Sequence, residues 1–188
     1  MNYIEVFNKH AIISKLPLRV GDRELRSCTK AKLFLLRVQY SNVIEAFEKE
    51  MQDVLKEIKK DYPEFDNQAS EIQKMYSINA KLKEYDEYDG EESERPAKPS
   101  DEDLKFAKDA IKKEPEFKEL NEKLTKEYIE ARNQRLQDKA ELKEKKFTES
   151  EFAEIIEVIG DSDIEMEEGK NIKSEDFLSI VATLFIDL

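Results

Sequence analysis

Residues 22–61 read DRELRSCTKAKLFLLRVQYSNVIEAFEKEMQDVLKEIKKD, and their spacing decides the fold. Leu36, Tyr40, Val43, Phe47, Met51, Val54 and Ile58 step along the chain by four, three, four, four, three and four. That rhythm keeps every apolar side chain on one stripe of a helix with 3.6 residues per turn. The stretch therefore predicts one helix of about 35–40 residues, long by globular standards. Pro63 ends it, because a proline ring removes a backbone donor and clashes with the preceding turn.

Working outward, a second helix is expected from about Asn67 to Tyr88, with Ile72, Met75, Tyr76, Leu82 and Tyr85 on one side. The short connection makes the two helices antiparallel neighbours. Upstream, Tyr3, Val6, Phe7, His10, Ala11 and Ser14 recur at helical spacing, so a short helix precedes Leu16. Pro17 restricts Leu16 to extended geometry, and Gly21-Asp22 reads as a turn.

Residues 86–101 hold Gly90, Pro96, Pro99 and a run of acids with little apolar content, the composition of a loop or mobile linker. Ser100 followed by Asp103 resembles a capping box, and Leu104, Ala107 and Ile111 line the helix after it. Pro115 interrupts and restarts the helix, which is expected to run from Glu116 to Lys146. Phe117, Leu120, Leu124, Tyr128 and Ala131 form its stripe. Beyond Ala131 the apolar face thins to Leu136 and Leu142, an end suited to solvent or a partner.

Thr148 with Glu151 is a capping box opening a helix that turns Phe152, Ile155, Ile156 and Ile159 inward, and Gly160 is a natural stop. Ile164 to Glu167 alternates like a short strand, Gly169-Lys170 turns it, and Asn171 to Lys173 can pair back. Ser174 caps a last helix that buries Phe177, Val181 and Leu184. The fold class is thus mainly α: long antiparallel helical hairpins with a small acidic C-terminal module of helices and at most one β-hairpin. Four segments follow: 1–88, an N-terminal segment and first helical pair; 89–100, an acidic Pro/Gly linker; 101–146, long charged helices; and 147–188, the acidic module.

The net charge of −12 is uneven: residues 1–85 carry +2, residues 86–103 carry −7, residues 104–146 carry +3 and residues 147–188 carry −10. No apolar run approaches the roughly 20 residues of a membrane span. Met1 to Lys15 contains Glu5 and lacks the basic start and apolar block of a secretory signal, which points to a cytosolic protein. Cys28 is the single cysteine, so no internal disulfide forms, and it is expected to be a small core residue.

Enzyme signatures are missing. His10 is the one histidine and fits the boundary of the first helix better than a general base. The glycines at 21, 90, 160 and 169 are isolated, so there is no phosphate loop. Carboxylates at helical spacing are explained by a solvated face. Asp161-Ser162-Asp163-Ile164-Glu165 imitates the start of a calcium loop, but Met166 stands where glycine is needed and Ile172 where glutamate is needed. No catalytic, cofactor or metal site is assigned.

Lys15, Arg19, Arg23, Arg26, Lys30, Lys32 and Arg37 form a basic stretch. Aromatic interleaving is poor and the molecule as a whole repels phosphate, so nucleic acid is a poor partner for it. An acidic protein surface suits it better, and residues 147–188 supply one.

The order of features resembles that of small helical tailed-phage proteins with no assigned activity. The residues that carry the likeness are the Leu16-Pro17-Leu18-Arg19 turn, the helix through Ala31 and Leu36, and the module from Phe152 to Leu184. The resemblance implies a late-gene product, such as a head, neck or packaged virion protein, made in the host cytoplasm and carried into the particle. A different function class, an acidic regulator occupying a basic nucleic-acid-binding site on another protein, fits the acid content. Self-assembly is the expected mode of action. The acidic module of one copy would dock near Arg19, Arg23, Arg26 and Lys30 of a neighbour, with Phe177 and Leu184 adding apolar contact, and so build a ring. Docking of the same charges within one chain is the competing reading.

Overall fold

The computed structural model describes residues 1–142, 146–167 and 170–185. The described residues are mainly helical. In chain order the elements are α1 (Tyr3–Lys15), β1 (Arg19–Val20), β2 (Arg23–Glu24), α2 (Ser27–Lys60), α3 (Phe65–Asp86), α4 (Asp101–Ala110), α5 (Glu114–Leu136), α6 (Glu149–Ile159), β3 (Ile164–Glu167), β4 (Lys170–Ile172) and α7 (Ser174–Phe185). The chain divides into two compact units, Met1–Met51 with Asn133–Leu188, and Gln52–Arg132. These cut across the segments drawn from charge and Pro/Gly content, because α2 and α5 each run through a unit boundary.

In the first unit Leu33, Leu36 and Tyr40 of α2 pack with Val6, Ile13 and Leu16 and with Ile155, Ile159, Phe177, Val181 and Phe185, and Phe47 and Met51 continue the buried stripe of the helix. Aromatic rings join its layers: Tyr3 and Phe7 meet Phe47 at 4.8 and 5.4 Å between centroids, and Tyr40 and Phe147 meet Phe185 at 6.3 and 6.5 Å. Edge-on and tilted geometries such as these suit the ring quadrupoles. The expected capping box of Thr148 with Glu151 opens α6, and another, Asn2 with Glu5, opens α1.

The second unit is built on α3. Ile72, Met75 and Ile78 pack against Ala107 and Ala110 of α4. α5 lies antiparallel beside α3: Tyr62, just before α3, meets Glu127, Phe65 meets Phe117, Glu71 meets Lys113 and Tyr76 meets Glu114. Ser100 caps α4 by accepting from the Asp103 amide at 3.1 Å. The acidic segment before it is anchored where Arg95 donates to the Tyr85 carbonyl and stacks 4.0 Å from that ring's centroid.

Several expectations need correction. A second, two-residue hairpin pairs β1 with β2 around Gly21, whose φ of 59° only a glycine adopts without strain. The α1 stripe is rotated, so that Ile13 is buried while Ala11 and Ser14 face solvent. In α6, Val158 is buried and Ile156 is exposed. Helix α5 stops at Leu136, ten residues early. The chain then turns back to the N-terminus, where Tyr3 donates to the Asp138 carbonyl and Ala140 to the Met1 carbonyl. Those bonds, with burial of Ala140 and Phe147, replace the helical bonds that the thinning stripe could not support. The C-terminal hairpin forms as expected, Ile164 opposite Ile172, while its Gly169 lies outside the described residues. Cys28 is exposed rather than in the core.

Candidate interaction surfaces

A helix leaves donors unsatisfied at its N-terminus and carbonyls at its C-terminus, with a dipole that attracts the matching charge. In the first unit the basic stretch serves these needs. Arg23 donates to the Glu157 and Ile159 carbonyls at the end of α6, at 3.1 and 3.4 Å. Arg37 donates to the Ile13 and Leu16 carbonyls at the end of α1, and burial pulls its guanidinium below the ordinary value. Lys9 plays the same part for α7, donating to the Leu184 carbonyl at 3.1 Å.

The opposite end is served by an acid. α2 has no acidic residue in its first turn, and Glu154 of α6 reaches it instead. The buried carboxylate accepts from the Arg26 amide and from the Thr29 hydroxyl at 2.7 Å, while the Arg26 guanidinium stands 3.6 Å away. α6 and the start of α2 therefore cap each other, Arg23 closing one helix and Glu154 the other. Beside them Lys32 pairs with Glu151 at 2.6 Å. Burial raises the Glu151 carboxyl, but the Lys32 and Thr148 hydrogen bonds outweigh it and hold the group low. Lys30 pairs with Glu24 and lowers that carboxyl as well. Arg19 holds the Gly21 carbonyl at 2.6 Å and approaches Asp22 at 3.7 Å.

Thus Arg23 and Arg26, expected to receive a neighbour's acidic module, already engage the acidic module of their own chain. Phe177 has no exposed surface, since it fills the core beneath α7, and a docking role for it is withdrawn. Leu184 is half-buried against the same core. His10 lies half-buried in the middle of α1, its Nε2 3.2 Å from the Ser41 hydroxyl.

What α2 leaves uncovered is its outer face. Phe34, Leu35 and Val38 are 63%, 56% and 38% exposed, on the side opposite the buried stripe, and exposed Cys28 and Ala31 continue the face toward the N-terminus. Contiguous exposed apolar side chains of this kind mark interaction surfaces more often than isolated ones do. The sequence carried a signal: Leu33-Phe34-Leu35-Leu36 is four apolar residues in a row, which one helical stripe cannot bury.

Comparisons with protein-family models, characterised proteins and solved structures returned no match. Among the described residues no three His, Cys, Asp or Glu side chains converge as a metal site, and no helix is long and apolar enough to cross a membrane. The second unit has a groove between α3 and residues 96–100, lined by Lys74, Lys81 and Lys98 with Glu84 and Asp103. Lys98 lies 5.8 Å from the Tyr85 ring centroid and holds the loop against α3, while Lys74, 4.6 Å from the Phe106 centroid, joins α3 to α4.

Proposed function

We propose that this chain is a non-catalytic interaction protein, a structural component of a phage particle or of its assembly. The observation that carries the interaction reading is the exposed apolar face of Phe34, Leu35 and Val38 on the longest helix. The phage assignment draws on the order of features, from the Leu16-Pro17 turn through the long helix to the acidic module. A head-to-tail ring through Arg19, Arg23, Arg26 and Lys30 loses its motive, because their charges are matched within the chain. Docking passes instead to the face of α2. Mass spectrometry of particles purified from the infected host tests the assignment. The chain is expected at a fixed copy number per particle, and its absence from particles while abundant in the lysate would overturn the reading.

A second reading, an acidic regulator that fills a basic nucleic-acid-binding site, draws on a separate observation. Glu157, Asp161, Asp163, Glu165 and Glu175 are exposed and meet no cation within ion-pair distance among the described residues. Fluorescence anisotropy decides it: the purified chain should displace labelled DNA from a host DNA-binding protein, and no displacement at large excess removes the idea.

A further inference from the structure

We propose that the groove between α3 and residues 96–100, in the second unit, binds an extended acidic peptide segment of a partner protein. The site is separate from the apolar face of α2 and stands independently of it. Its volume is about 490 Å³, the size of an ordinary ligand cleft. Lys74 and Lys81 line it from α3, two turns apart on one face of the helix, and Lys98 lines it from the facing wall; all three are exposed. None of them meets a carboxylate within ion-pair distance among the described residues, whereas Lys83 and Lys113 of the same unit pair with Glu87 and Glu71. The Phe106 and Tyr85 rings stand 4.6 and 5.8 Å from the Lys74 and Lys98 ammonium groups. A ring carries no net charge, so it positions an ammonium without neutralising it.

The acids in the groove decide the class of ligand. Glu84 meets no cation among the described residues, and Asp103 accepts from the Ser100 hydroxyl at 2.8 Å. A polyphosphate offers neither carboxylate a donor and is repelled by both. A peptide carries both halves, side-chain carboxylates for the lysines and backbone N–H donors for the acids. The facing wall suits a peptide as well. The backbone of Pro96 to Pro99 makes no hydrogen bond among the described residues, so its carbonyls are free to accept, while Ile78, Pro96 and Pro99 supply apolar lining. Lys74 and Lys81 lie about 10 Å apart along the helix axis at 1.5 Å rise per residue. Carboxylates on alternate residues of an extended chain share one face and repeat about every 7 Å. The flexible four-carbon lysine stems take up the difference.

Fluorescence anisotropy of a fluorescein-labelled hexapeptide of alternating glutamate and alanine, titrated with the full chain, tests this. Saturable binding is expected. Lys81→Gln, which removes no contact of the fold, should weaken it roughly threefold, and Lys74→Gln with Lys81→Gln roughly tenfold, with circular dichroism unchanged. Glu84→Ala should weaken the peptide too, because an acceptor for its backbone is lost, whereas a bare anion site would bind it more tightly. Tripolyphosphate should displace the peptide only at large excess. Absence of saturable binding, or binding indifferent to Lys81, overturns the proposal. So does displacement by equimolar tripolyphosphate or tighter binding by Glu84→Ala, either of which makes the groove a simple anion site. A dimer in sedimentation velocity that Lys81→Gln dissolves would also overturn it, by giving the groove to a second copy.

Discussion

Replacing Glu154 with alanine removes the carboxylate that caps the start of α2, and its cost can be worked from the contacts. Glu154 accepts from the Arg26 amide at the helix N-terminus, so its loss resembles loss of an N-cap, about 1 kcal/mol. It also accepts from Thr29, whose hydroxyl is fully buried; an orphaned buried donor costs about 1–3 kcal/mol. Together these give about 2–4 kcal/mol, in a protein with no acid in the first turn of α2 to substitute. For a chain of this size each kcal/mol moves the melting temperature by about 2–4 °C, so a fall of roughly 5–15 °C is expected for the first unit. The assay is thermal and urea unfolding by circular dichroism, with hydrogen exchange at residues 27–32 to assign the loss to α2. Thr29→Val provides the control: in a double-mutant cycle the pair should couple by about 1–2 kcal/mol, since each substitution removes the same hydrogen bond. A loss under about 0.5 kcal/mol, or additive single losses, would refute reciprocal capping.

Three further outcomes follow from the same geometry. Because Glu151 titrates below its ordinary value of 4.5, the stability it contributes is complete above about pH 5 and disappears as pH falls through the lowered value. Lys32→Met should therefore lower the urea midpoint at neutral pH and flatten its fall in acid; an unchanged pH profile would contradict this. Gly160 has φ 54° and ψ −131°, and a Cβ there would collide with the Arg23 guanidinium, so Gly160→Ala should cost about 1–3 kcal/mol in a thermal scan, where no change would count against the cap. A glutamate-specific protease should cut first at residues 91–94, and Arg95→Ala should speed that cut by freeing the segment from Tyr85; first cleavage inside α2 would contradict it.

Local chemistry was legible from the residues. Side-chain spacing located the long helix, the prolines and capping boxes located its neighbours, and strict alternation located the C-terminal hairpin. These signals act over a few residues, where periodicity and hydrogen-bond geometry have a fixed relation to sequence. What could not be read was the destination of charge. Glu154 lies three residues past the capping Glu151 in an acidic helix, and spacing alone makes it a solvated residue. Only packing of α6 beside Thr29, 125 positions away in the chain, turns it into a cap. Arg23 and Arg37 were read as a free basic surface for the same reason, since their acceptors are backbone carbonyls that no composition reveals. The exposed face was within reach: Leu33 to Leu36 overfills a single stripe, and the excess, Phe34 and Leu35, is what faces outward.

Docking through the outer face of α2, as proposed, would govern how the chain enters particles. The most direct measurement is quantitative mass spectrometry of particles assembled with the wild-type chain or with a Phe34→Glu, Leu35→Glu variant that circular dichroism shows to be folded. Incorporation of the wild type at a fixed copy number, with the variant reduced by roughly tenfold or more, is the predicted result. Equal incorporation of the two, or absence of both, would contradict it.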